Sequence, residues 1–175
     1  MNAHVFVDES KARGLLLAAA VVPTQELASL RKLIDSLRLP RQRRIHFTSE
    51  SDARRKVILA TLQGAGAQVA IYDATAYANV KSARDAALTR LVDDAAKSGA
   101  QMLVIERDDP LEASDRVIIR TRADLAGCRD TLRYAHKRAH EECLLAIPDA
   151  VAWSWSKGGH WRERVCGIVT EVVRV

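Results

Sequence analysis

Cysteine is scarce, and what there is has no framework pattern. Cys128, Cys143 and Cys166 are odd in number and widely separated, and no Cys-x-x-Cys pair occurs. That argues against a disulfide scaffold and a structural zinc site and leaves buried, reduced thiols as the expectation. Long hydrophobic runs are missing too: the longest, residues 15–23, is strand length, against the ~20 residues a membrane helix needs. The opening Met-Asn-Ala-His has no basic stretch leading into an apolar segment, so no signal-peptide pattern is present and the cytoplasm is the expected compartment. There is no Gly-x-Gly-x-x-Gly, no Walker sequence and no serine nucleophile elbow. Dinucleotide binding, P-loop phosphate binding and serine hydrolysis therefore have no motif to stand on. Internal repeats, low-complexity stretches and linkers are also absent, so residues 1–175 read as one domain.

What is there is an ordinary globular composition, 48% apolar and 28% charged. Lys and Arg number 27 against 22 acids, a net charge of +5 with a pI near 9.4. A basic excess favours polyanionic partners, because neutralising phosphates releases counterions.

Hydrophobic patterning gives a mixed α/β order. Residues 3–8 and 15–22 read as two strands of a hairpin, with Asp8, Glu9, Ser10, Lys11 and Gly14 in the turn. Pro23 and Thr24 open a helix with Leu27, Leu30, Leu33, Ile34 and Leu37 at helical spacing, ended by Pro40. Ile45-His46-Phe47 is a short extended piece, and Thr48 or Ser49 is expected to cap a helix that stops at Gly64 and Gly66. A strand at 68–72, a helix at 77–98 and a strand at 102–106 follow. A short strand is expected at 117–119, a helix over 125–144, a further helical region after Asp149, and helix again over 165–175. Strand–helix alternation after a hairpin implies a mixed sheet with helices on both faces.

Three acids share a placement. Asp8 ends the first strand, Glu106 ends a later strand, and Asp149 begins a late helix just after Pro148. Strand ends and helix starts gather along one edge of an open α/β sheet, where sites form. Carboxylates gathered there repel one another unless a hard cation such as Mg²⁺ or Mn²⁺ neutralises them, and such ions serve phosphodiester hydrolysis. Glu9 and Asp108 are the adjacent alternates, since neighbours along a strand face opposite sides. Taken singly, the same acids also read as turn residues, a solvated loop and a helix-dipole partner.

The stretches Phe6-Val7-Asp8-Glu9-Ser10, Ile45-His46-Phe47 and Ile147-Pro148-Asp149-Ala150-Val151-Ala152-Trp153 resemble the family called domain of unknown function 3800. The resemblance implies a ribonuclease H-like fold with metal-binding acids: Asp8 matches the first-strand acid, Asp149 the acid of the C-terminal helix, and Glu106 the acid ending a later strand. The chain departs from the pattern at Lys11, where the family has Gly, at Glu106, where Asp is commoner, and at His46, where a fourth carboxylate would complete the set.

His46 is a candidate metal ligand or proton carrier. His136 and His140 stand four apart, a spacing that holds zinc on a helix, but no Glu follows His136 to complete the zinc-protease pattern. Arg129, Arg133 and Lys137 recur every fourth residue, a basic stripe if helical, and Arg43 and Arg44 head a second basic cluster with Arg54, Arg55 and Lys56. Trp153, Trp155 and Trp161 lie beside Lys157 and Arg162; core packing is the favoured reading, base stacking the other. Two functional readings follow. One is a Mg²⁺- or Mn²⁺-dependent nuclease or phosphodiesterase, with Asp8, Glu106 and Asp149 holding metal, His46 assisting, and Arg43, Arg44, Arg129, Arg133, Lys137 and Lys157 holding the polymer. The other is a catalytically inactive nucleic-acid- or protein-binding module on the same fold.

Overall fold

The computed structural model describes residues 2–175. Strands β1 (Ala3–Ser10) and β2 (Leu15–Pro23) form an antiparallel hairpin in which Ala3 lies opposite Pro23 and Ser10 opposite Leu16. Its tight return depends on Gly14, whose φ of +91° only glycine adopts freely and whose missing Cβ would stand 3.0 Å from Thr75. Strands β3 (Gln68–Ala74), β4 (Met102–Glu106), β5 (Arg133–Lys137) and β6 (Val169–Arg174) complete a six-stranded sheet in the order β5-β4-β1-β2-β3-β6. β4 runs parallel to both β1 and β5, β3 antiparallel to β2, and β6 parallel to β3.

Both faces of the sheet are covered, which is why its central strands read as nearly unbroken apolar runs. Phe6, Ala18, Ala20, Ile71 and Val104 look to one side and pack with helices α1 (Leu27–Ser36), α2 (Asp52–Gly64), α5 (Ala146–Lys157) and α6 (Gly159–Val165). Val5, Val7, Leu17, Ala19 and Leu103 look to the other, against α3 (Val80–Ser98) and α4 (Glu112–Leu125). The three alanines in the middle of β2 are explained by close approach: α5 and α3 lie against that strand from opposite sides. The mixed sheet with helices on both faces is as the sequence implied. No helix among the described residues is long and apolar enough to cross a membrane.

Several local expectations are overturned. Residues 117–119 are helical, inside α4, where Ile119 is buried and Val117 exposed: one side of a helix, not an alternating strand. The helix expected over 125–144 is replaced by a turn and β5. Being an edge strand, β5 is half-exposed and carries charge at both ends, which disguised it. Residues 165–175 hold the end of α6 and then β6 rather than one helix; β6 pairs with β3 across a register shift, and of its residues only Val173 is buried. The cap of α2 is Ser51, which accepts from the Arg54 N–H, rather than Thr48 or Ser49. Cys128 and Cys143 are half-buried and Cys166 is exposed, all as free thiols, so the expectation of buried thiols fails.

Candidate active site

The hairpin and the β1–β4 register decide where the acids fall. Val7 is paired with Ile105 in parallel, so the next pair along is Asp8 beside Glu106, both on the face that meets α5. Asp149 sits in the first turn of α5, and its Oδ2 accepts from the Phe47 backbone N–H at 2.9 Å. The three acids named from the sequence therefore meet at the C-terminal ends of β1 and β4. Asp8, 8% exposed, shares a side-chain hydrogen bond with Glu106. Its pKa is driven well above the carboxylate range, first by burial, then by that hydrogen bond and the charge of Glu106, then by Asp149; Arg44 opposes the rise. Asp8 also accepts from the Glu9 N–H at 2.7 Å.

Two basic groups close the site. Arg44 donates to Glu106 at 3.2 Å. His46 places Nδ1 3.5 Å from Asp149, and its pKa is raised chiefly by a hydrogen bond to Asp149, against the opposite pull of partial burial. Residues 46–47 are held against α5 by an aromatic cluster: Phe47 meets Trp153 edge-on at 5.3 Å between ring centroids, and Trp153 meets Trp161 at 5.4 Å. Arg55 lies 4.3 Å over the Trp153 ring. Trp153 is thus part of the packing, and Trp155 lies under Arg162 at 4.8 Å. As the side chains stand, no group of three His, Cys, Asp or Glu among the described residues is arranged to hold a metal ion. Arg44 partners Glu106, and the Phe47 N–H and His46 partner Asp149.

Glu9 and Asp108 do not join the acids. Glu9 faces the opposite side of the sheet and pairs with Lys11 at 2.6 Å and with the buried Arg84. Asp108 lies beyond the end of β4 and takes Lys11 at 3.0 Å. Arg84 is in turn gripped by Asp115 through two hydrogen bonds of 2.9 and 2.8 Å, and His136 Nε2 approaches Asp115 at 3.3 Å. This network was not singled out in the sequence, although Arg84 falls between Ala83 and Ala87 on the apolar stripe of α3, where an unmatched charge demands a buried partner. A cleft of about 440 Å³ opens on this opposite side, lined by Glu9, Lys11, Arg84 and Asp108 among others; it reaches Asp8 and Glu106 at the strand ends but not Asp149, Arg44 or His46.

The basic residues fall differently from the helical stripe. Arg133 and Lys137 stand at the two ends of β5 on one face of the strand, paired with Met102 and Glu106. Arg129 lies in the preceding turn, bound to Asp124 at 3.2 Å. His136 is on β5 and His140 in a turn, so the four-residue helical spacing does not exist. Arg43 lies beside Arg31, Asp35 and Arg38, and Lys157 is 5.9 Å from the Trp153 ring.

No family model matches the chain, and no curated protein matches it. Among solved structures, a chain in the PCNA:RNase HII complex from Archaeoglobus fulgidus is similar, with a TM-score of 0.59 over 93% of this chain and 76% of that one, at 13% sequence identity. The fold is ribonuclease H-like. At that identity the likeness establishes the fold alone, and the ribonuclease H-like architecture expected from the motif residues is what it supports.

Proposed function

We propose that the chain is a Mg²⁺- or Mn²⁺-dependent nuclease or phosphodiesterase that acts on nucleic acid at the Asp8–Glu106–Asp149 site. The observation that carries the proposal is the convergence of three carboxylates from β1, β4 and α5 around a buried Asp8 whose negative charge is strongly disfavoured. Uncompensated, such a cluster is costly; a hard dication removes the cost, and carboxylate oxygens are its preferred donors. Asp8, Glu106 and Asp149 would hold it. Bound there, a divalent cation acidifies water and neutralises charge on the phosphoryl oxygens.

The chain's own groups supply the rest. Asp8 holds its proton more tightly than an ordinary carboxyl, and a cation held by the three acids would compete with that proton. Arg44, which holds Glu106, would face the scissile phosphate once the acids hold a cation, and its planar donor fork suits a phosphate. His46, kept readily protonated by Asp149, supplies a proton to the leaving oxygen.

One observation favours a second reading, a catalytically inactive binding module. Arg44 already occupies Glu106, and the resemblance drawn from the sequence puts His46 where a fourth carboxylate is expected. A single experiment separates the two. Purified protein is incubated with single-stranded, duplex and hybrid oligonucleotides, with Mn²⁺ or with chelator. Metal-dependent cleavage that disappears in Asp8→Asn supports the nuclease. Binding without cleavage, unaltered in that variant, supports the module.

A further inference from the structure

Beside the acid site, along the edge of the sheet, the α5-side face of β5 and the start of β4 line a groove of about 320 Å³ walled by α1. Arg133 and Lys137 project into it from β5, His4 and Met102 form its floor, and Arg31 and Glu142 stand on the far wall. Its charge is unbalanced. Glu142 is taken by Arg31 through two hydrogen bonds, 3.1 and 2.8 Å, whereas neither Arg133 nor Lys137 forms an ion pair among the described residues. The cleft on the other side of the sheet is different: Lys11, Arg84 and Arg107 are each matched there by carboxylates. His4 registers the excess, its pKa being lowered by burial and then by the charges of Arg31 and Arg133.

The groove also has a direction. Arg133 is paired with Met102 at one end and Lys137 with Glu106 at the other. Four residues of strand span roughly 13 Å at ~3.3 Å each, so the two cations lead, one after the other, to the acid that Arg44 holds. Two unpaired cations leading to a candidate phosphodiester site can each take a phosphate of one strand, not adjacent ones but ones further apart, since phosphates recur every few ångströms along the backbone.

We propose that this groove is a backbone-binding track: a nucleic-acid strand entering the acid site lies along the inner face of β5, with phosphates on Lys137 and then Arg133. This rests on the nuclease reading for the direction of the strand, but not for its binding. Phosphate contacts of this kind position the strand without reading its sequence, so the track is expected to be indifferent to base identity.

The test measures binding and cleavage separately. Fluorescence anisotropy with a short labelled single-stranded oligonucleotide is run in chelator from about 50 to 200 mM salt, comparing wild type with Arg133→Gln/Lys137→Gln. Two lost contacts make the salt slope shallower by about 1.4, at ~0.7 per phosphate on a single strand, and weaken binding about tenfold. Arg120→Gln, which removes a charge from α4 on the opposite face, leaves both unchanged, and Arg133→Lys/Lys137→Arg restores them. If circular dichroism finds the double variant unfolded, Lys137→Gln carries the test with a slope change of ~0.7. An unaltered slope and affinity in folded variants overturns the track, whatever the cleavage assay gives. Absence of metal-dependent cleavage by wild type, with the slope change present, overturns the nuclease reading and leaves the track standing.

Discussion

Replacing Arg84 with methionine is expected to be among the most damaging single changes in this chain. The guanidinium is 3% exposed and Asp115 is wholly buried. Two of its hydrogen bonds go to Asp115 at 2.9 and 2.8 Å, and a third goes to Glu9. Methionine keeps much of the volume and removes every donor. Asp115 is then a buried carboxylate left with one contact, His136 at 3.3 Å, and removing one partner of a buried pair costs about 3–5 kcal/mol. For a chain of this size each kcal/mol is worth ~2–4 °C, so thermal unfolding should fall by roughly 6–20 °C. The pH dependence gives an independent check. Burial alone would raise the pKa of Asp115, but the hydrogen bonds from Arg84 and His136 prevail and hold it below the ordinary value. A carboxyl depressed in the folded state adds stability above its unfolded pKa of ~3.9, and that stability is lost as pH falls through the folded value. Wild type therefore weakens on the acid side from this source, while Arg84→Met is already weak at neutral pH and has less left to lose. Asp115→Leu added to Arg84→Met should recover about 2 kcal/mol, because replacing both members of a buried pair is far milder than orphaning one. Urea unfolding of the three proteins measures this directly. A loss below about 1 kcal/mol in Arg84→Met, or no recovery in the double variant, would refute the buried-charge reasoning.

Two further outcomes follow from the packing. Phe47→Ala empties a fully buried ring position, with an expected cost of about 3–5 kcal/mol in chemical denaturation; because the Phe47 N–H holds Asp149, cleavage should suffer even where the variant is folded. Gly14→Ala puts a Cβ 3.0 Å from the Thr75 backbone at a φ of +91°, and should cost at least ~1–2 kcal/mol in the same measurement, whereas alanine at Gly64, which has nothing within 4 Å of the added carbon, should not destabilise.

How far the sequence spoke depends on where each segment sits in the sheet. β1 and β2 were readable because both faces of the sheet are covered, so apolar residues follow one another without polar interruption. The acids were readable for a related reason: a strand that breaks from valines into Asp8-Glu9 declares its end, and ends are where sites gather. The edge strands were not. Arg133-Tyr-Ala-His-Lys faces solvent for much of its length and resembles a basic helix face at the i, i+4 spacing, and the valines of β6 satisfy either period over so short a run. Arg84 and Asp115, 31 positions apart, hid for a different cause. Each lies on an otherwise regular helical pattern, and only α3 packed on α4 joins them. Arg44 stood in a plain basic cluster; that it holds Glu106 depends on where the loop before Phe47 docks, which no spacing encodes.

The acid site should be visible in the stability of the protein before any substrate is added. An acid whose folded pKa lies above its unfolded value binds its proton more tightly when folded, so it weakens the fold as pH rises from ~3.9 through the folded value. Asp8 is such a group, by burial first and by Glu106 second. Two consequences pull the same way. Asp8→Asn removes the charge, keeps an oxygen to accept from the Glu9 N–H, and should stabilise the metal-free protein by about 0.5–2 kcal/mol at neutral pH while abolishing cleavage, the usual opposition between stability and a working site. A dication that binds only the folded wild type should raise its unfolding temperature as well, by ~2.7 kcal/mol in free-energy terms at a hundred times its dissociation constant. That gain should vanish with chelator and be absent from Asp8→Asn. Differential scanning calorimetry with Mg²⁺, Mn²⁺ or chelator, at neutral pH and again near pH ~4, where Asp8 holds its proton and competes with the cation, reads all of this in one series. If Asp8→Asn were less stable than wild type in chelator, the three carboxylates would be supporting the fold rather than straining it, and nothing would remain for a cation to relieve.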